Sequence, residues 1–144
     1  MLRKAVVKDA KRIADLLKEL GYPNIPAFAK SKISRLSKSK NDSVLVAEIN
    51  REVIGAAHLH IAELFHEPGR LGRIMALVIT KNCRQQGIGQ KLMASLETIA
   101  RKAGCIKMEV TSAVHRDSAH IFYKKLGYSE QPKRFVKPLG LKRS

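Results

Sequence analysis

The densest chemistry in this chain lies in six consecutive residues, Arg84-Gln85-Gln86-Gly87-Ile88-Gly89. They follow an apolar, β-rich run over residues 71–79 and open a helix-like run over residues 90–103. A strand, a glycine-rich turn and a helix start make a receptor for an anionic phosphate. The first N–H groups of a helix have no intrahelical acceptor and point outward, and the helix dipole adds partial positive charge there. Gly87 and Gly89 let the backbone approach a ligand without an intervening Cβ. Two familiar phosphate loops are excluded. A P-loop needs Lys-Ser/Thr after its last glycine, and Gly89 is followed by Gln90-Lys91. A dinucleotide fingerprint needs a third glycine where this chain has Leu92. His115-Arg116-Asp117 imitates a kinase catalytic loop, but Phe122 stands where that loop needs Asn.

Other reactive side chains are sparse. His58 and His60, two apart on a strand, share one face. They could form a metal pair, but no third ligand accompanies them, and no metal is expected. Cys83 and Cys105 have neither metal nor disulfide-framework spacing, so both thiols are expected free.

Some thirty residues after the glycines comes Ala119-His120-Ile121-Phe122-Tyr123-Lys124-Lys125-Leu126-Gly127-Tyr128. This segment and the Arg-x-x-Gly-x-Gly turn, in this order and spacing, resemble the acetyl-CoA site of the GNAT superfamily of N-acetyltransferases. Either motif alone is common. Their pairing is specific, and the resemblance runs over the whole chain.

The resemblance implies a cofactor and roles. Acetyl-CoA would lie along Leu77-Val78-Ile79, where exposed strand backbone pairs with pantetheine amides and a donor at Val78 polarises the thioester carbonyl. Arg84, Gln85, Gln86, Gly87, Ile88 and Gly89 would hold the pyrophosphate, mainly through N–H groups, with Gln90 adding one and Arg84 a side-chain ion pair. Tyr123 matches the family's general-acid position, where a phenol can protonate the departing thiolate. An amine would attack the thioester directly in a ternary complex. Many relatives deprotonate that amine through a Glu on the strand before the turn, and here the matching residue is Arg73. His58 and His60 are the alternative bases, His60 acting through water, with Glu63 and Glu109 behind them. Arg73 could instead pair with an acidic group of the acceptor. Arg116 stands where many relatives carry Asn against pantetheine, and could reach a phosphate or the substrate.

The elements must position these residues. Residues 2–7 read as a strand, Asp9 as the N-cap of the following helix, and Gly21-Tyr22-Pro23 as its stop. Pro26 opens a second helix. Residues 44–49 and 53–61 read as a hairpin across Asn50-Arg51-Glu52. After the 71–79 strand and the long helix come a strand at 106–110, a short helix at 118–126 and a last strand at 135–137. The order β-α-α-β-β-β-α-β-α-β predicts a mixed α/β (α+β) chain. The resemblance makes it a GNAT-like fold: a mostly antiparallel sheet splayed at the cofactor site and flanked by about four helices.

A chain of 144 residues is expected to form one domain, residues 1–144. No apolar run reaches transmembrane length, and the basic first residues lack a secretory apolar block. A reducing cytoplasm is the expected location. The 28 Lys+Arg against 12 Asp+Glu give a net charge of +16. A surface this basic could serve coenzyme A, itself highly anionic, or draw an anionic partner such as RNA or a ribosome. An RNA-binding role has little aromatic surface to work with, at 5% aromatic residues and no Trp. A third reading is a module that holds acyl-CoA without turnover. Acceptor identity, and monomer against homodimer, are left open.

Overall fold

The structure, a computed structural model, describes residues 1–22, 26–111, 117–131 and 134–141. It falls into two compact units, Met1–Thr111 and Ser112–Ser144. The first holds β1 (Leu2–Lys4), α1 (Ala10–Glu19), α2 (Pro26–Ser37), β2 (Asp42–Ile49), β3 (Glu52–Glu63), β4 (Arg70–Ile79), α3 (Ile88–Lys102) and β5 (Cys105–Val110). The second holds α4 (Asp117–Lys125). The five strands form one sheet in the order β1-β2-β3-β4-β5. Every pair is antiparallel except β4–β5, which is parallel because α3 crosses between them.

Both sheet faces are covered. Ile13, Leu16, Ala29 and Ile33 of α1 and α2 pack with Val46, Ala56 and Val78 in one core. On the opposite face α3 buries Leu92, Met93, Leu96 and Ala100. Contact there is close: a Cβ added to Gly72 would sit 2.6 Å from Met108 Sδ and 3.3 Å from Ala100 Cβ. The β2–β3 hairpin turns on Asn50 (φ 52°) and Arg51 (φ 66°), the two left-handed residues that a tight primed turn demands.

Three expectations need correction. The first strand stops at Lys4, because Val7–Asp9 winds into a 3₁₀ turn. Asp9 stands at the N-cap of α1, but its side chain makes no cap hydrogen bond to that helix. Its buried carboxylate accepts from Val6 N–H at 2.8 Å and from both Arg3 terminal nitrogens at 2.8 and 2.9 Å. Residues 134–139 carry no strand, and Phe135 and Val136 are exposed. The expected segment runs into Pro138, which has no N–H to carry a ladder further. Both cysteines are free, and burial pushes the Cys105 thiol up. No helix among the described residues is long and apolar enough to cross a membrane.

Candidate functional site

The sheet opens beside β4. β5 pairs only with the first half of β4, ending at Ile74↔Val110, so among the described residues the strand from Met75 to Ile79 has no ladder partner on that side. On its other side β4 stays paired with β3 through Gly55↔Ile79, with one irregularity that leaves Met75 bulged between Ile74↔Leu59 and Ala76↔His58. Thr80 N–H donates to Ile54 O at 2.8 Å. Backbone direction alternates along an antiparallel ladder. The amides of Val78 and Ala76 therefore turn toward β3, and those of Leu77 and Ile79 face the open side. The N–H of Val78, expected to offer a donor on the open side, is turned to β3. The Val78 side chain belongs to the α1–α2 core.

The chain then turns through a 3₁₀ segment, Lys81–Cys83, anchored by Glu19 at the end of α1. The Glu19 carboxylate accepts from Thr80 Oγ1 at 3.0 Å and from Lys81 N–H at 3.1 Å. Gln85 is left-handed (φ 65°), and so is Gly87 (φ 80°), which caps α3. The first bond of that helix runs from Lys91 N–H to Gly87 O at 3.1 Å. The N–H groups of Gln85, Gln86, Gly87, Ile88, Gly89 and Gln90 find no acceptor among the described residues. No acidic residue occupies the first turn of α3. The result is a concave run of donors with a positive helix end behind it, able to receive an anion. Arg84 spends its Nε on Ile79 O at 2.9 Å, which fixes the guanidinium beside the open edge. Two grooves of about 380 and 500 Å³ lie elsewhere, around Leu2, Leu45 and Thr98 and around Asp9, Arg12 and Glu52. The turn is an exposed edge, which a flexible chain of phosphates can line without a cavity.

A second assembly lies on the α1–α2 face. Asp42, His60, Arg73 and Glu109 come from four successive strands and are register partners in turn: Asp42↔His60, His60↔Arg73, Arg73↔Glu109. Directly opposed residues share a face, so the four make one polar row across the sheet. Asp42 Oδ1 accepts from His58 Nε2 at 2.7 Å and His60 Nδ1 at 3.0 Å, and its Oδ2 from Ser39 Oγ at 2.6 Å. Burial acts to raise the Asp42 carboxyl, and hydrogen bonds from Ser39, His58 and His60 outweigh it, leaving it below the ordinary range. Arg73 Nη2 donates to the Glu109 carboxylate. Among the described residues no group of three His, Cys, Asp or Glu is arranged to hold a metal ion. Asp42, His58 and His60 meet through direct hydrogen bonds instead.

Tyr123 lies in the second unit. α4 closes there with Gly127 N–H on Lys124 O at 3.1 Å and Tyr128 N–H on Tyr123 O at 3.0 Å, a Schellman motif with Gly127 at φ 94°. The Tyr123 and Tyr128 rings meet edge to face with centroids 6.0 Å apart. Arg116 lies outside the described residues.

Sequence reasoning missed Glu19, Asp42, Ser39 and the Met75 bulge. Asp42 and His60 are eighteen positions apart, and only the hairpin register brings them together.

Known proteins resemble this chain in sequence and in fold. A family model described as acetyltransferase (GNAT) family matches residues 10–128. An aminoalkylphosphonate N-acetyltransferase of Salmonella typhimurium is 38% identical over 90 residues, covering 62% of this chain and 58% of that protein. A probable glucosamine 6-phosphate N-acetyltransferase of Drosophila melanogaster is 30% identical over 119 residues, covering 81% of this chain and 52% of that protein. The chain thus spans little more than half the length of these curated relatives. Among solved structures, a glucosamine-6-phosphate N-acetyltransferase of Arabidopsis thaliana superposes with a TM-score of 0.84 at 20% identity, covering 96% of this chain and 97% of that one. An aminoglycoside N-acetyltransferase in complex with CoA gives 0.81 at 15% identity over the full length of both chains.

Proposed function

The chain belongs to the acetyltransferase (GNAT) family, and on that premise we propose that it transfers an acetyl group from acetyl-CoA to the primary amine of a small acceptor that also carries an anionic group. The observation that carries this reading is the run of N–H groups over residues 85–90 without protein acceptors, set directly beyond the open half of β4. Coenzyme A matches both parts. Its pyrophosphate suits the donors at the start of α3, and its pantetheine amides suit the outward backbone of Leu77 and Ile79, which it would extend as an added strand.

The chemistry is acyl transfer in a ternary complex. The amine nitrogen attacks the thioester carbonyl, a C–N bond forms and the C–S bond breaks. The thiolate takes a proton, for which Tyr123 is the proposed donor, on the strength of its place in the Phe-Tyr-x-x-x-Gly-Tyr motif. Free thiol and an amide result.

Two things support an anionic acceptor. Arg73 occupies the β4 position where many relatives carry a carboxylate, so this part of the site offers an acceptor a guanidinium where those relatives offer an acid. Among the described residues one fork nitrogen of Arg73 is committed to Glu109, which leaves others to clamp a phosphoryl or phosphonate oxygen. Two curated relatives are named for substrates that join an amine to a phosphonate or phosphate.

The experiment is turnover with acetyl-CoA, read as thiol release, against 2-aminoethylphosphonate, glucosamine 6-phosphate and ethanolamine. Faster turnover of the two anionic amines supports the reading. Preference for ethanolamine removes the anionic acceptor. Binding of acetyl-CoA with no turnover of any amine in a broad panel points to a module that only holds acyl-CoA.

A further inference from the structure

We propose that His60 is the base that takes the proton from the acceptor's ammonium, and that Asp42 is the positioning residue that makes it one. The inference rests on the acetyltransferase reading and names the group missing from it. Arg73, a permanent cation, cannot accept a proton. The residue directly across from it on β3 is His60. The proton acceptor has moved one strand over, on the same face of the sheet.

The hydrogen bonds fix how His60 is protonated. Asp42 is a carboxylate held in its charged form by Ser39, His58 and His60, and its side chain is 8% exposed. A charged carboxylate only accepts hydrogen bonds. The proton of a neutral His60 ring therefore sits on Nδ1, the nitrogen 3.0 Å from Asp42 Oδ1, and the lone pair is on Nε2. His58 is the mirror case: its Nε2 carries the proton toward Asp42, and its free lone pair is on Nδ1. The two rings differ in access. The His60 side chain is 42% exposed and that of His58 20%. His60 can meet a substrate or a bridging water, and His58 serves to hold the Asp42 charge in place.

The groups facing His60 from its neighbours are Asp42 on β2, His58 on its own strand, and Arg73 on β4 with Glu109 of β5 beyond it. Asp42 stabilises the imidazolium that forms. The Arg73–Glu109 pair keeps the opposite side near neutral, so protonation of His60 is not opposed by an isolated cation.

The protons balance. One ammonium proton passes to His60 Nε2, directly or through a water, and frees the nitrogen lone pair. After attack, the nitrogen of the adduct loses a second proton, which replaces the one given to the thiolate. One proton leaves through His60 to solvent for each amide formed.

The test uses the full chain with acetyl-CoA and 2-aminoethylphosphonate. His60→Asn keeps a donor at the Nδ1 position toward Asp42 but has no basic nitrogen. Its expected effect is a fall in kcat of about 100-fold, with acetyl-CoA affinity and melting temperature near those of wild type. His60→Ala should regain activity with added imidazole, which a structural role would not allow. His58→Gln, which keeps a donor to Asp42 at the Nε2 position, should lower kcat far less than His60→Asn. The proposal is overturned if His60→Asn turns over like wild type, if imidazole gives no rescue, or if His58→Gln shows the larger loss. Each of those results leaves the acetyltransferase reading standing, because wild type still turns over. A wild-type chain that binds acetyl-CoA and acetylates no amine removes that reading and the base together.

Discussion

The donor run over residues 85–90 lies just beyond β4 and the polar row Asp42–His60–Arg73–Glu109 crosses it, but they are made of different material. The first is backbone: six N–H groups, two left-handed residues and a helix end. The second is side chains contributed by four strands and aligned by register. A coenzyme common to a whole family suits the first kind of site, because backbone donors persist whatever the side chains become. An acceptor that differs between relatives suits the second, since one substitution, such as Arg73 for a carboxylate, reverses the charge presented. The contrast predicts that mutations divide into those that remove the coenzyme and those that change turnover or acceptor choice.

The largest break in this contrast is Gly89→Glu. An acidic residue in the first turn of α3 is favourable to the helix dipole, so melting temperature should hold or rise. The same charge repels pyrophosphate, and acetyl-CoA affinity should fall by about 100-fold or more by calorimetric titration. Unchanged affinity would place the pyrophosphate elsewhere.

Asp9→Asn sharpens the contrast by touching neither region. Asp9 is held below the ordinary aspartate range first by the hydrogen bonds from Arg3, working against burial. The unfolded chain therefore binds that proton more readily. The stability Asp9 contributes is complete above the unfolded value near ~3.9 and drains away as pH falls through the lower native value. The variant should lose about 2 kcal/mol at neutral pH, about 30-fold in the folding constant, and the gap should close in acid. Chemical denaturation at neutral and acid pH checks this, with coenzyme affinity unaltered. A gap that persists in acid would remove the ion-pair explanation.

Arg73→Ala should raise KM for 2-aminoethylphosphonate about tenfold and leave KM for acetyl-CoA and for ethanolamine nearly unchanged. An equal rise for ethanolamine would argue against anion recognition. The smallest effect is expected from Glu19→Gln, which keeps an acceptor for Lys81 N–H. A loss of acetyl-CoA affinity of about threefold or less should follow from a looser turn, read by the same titration.

The turn was legible because its chemistry is local. Two glycines between an apolar run and an amphipathic one announce unpaired donors, whatever packs around them. The alternating hairpin and the buried stripe of α3 were legible for the same reason. Asp42 was not, since nothing near Ser39 or Asp42 in sequence points to His58 and His60. Asp9 stands at the expected N-cap, but its side chain turns to Arg3, six positions away, because a good capping carboxylate is also a good ion-pair partner. The strand expected at 135–137 had the right residue types, but β propensity needs a partner edge, which sequence pattern does not supply.

The central claim is that the amides over residues 85–90 receive the coenzyme's pyrophosphate. The most direct measurement is a titration of the ¹⁵N-labelled chain with coenzyme A, following backbone amide proton shifts. The account predicts large downfield movements confined to residues 85–90 and to Leu77 and Ile79, with Val78 moving little because its N–H already faces β3. Saturation of binding with the 85–90 amides unmoved would contradict it.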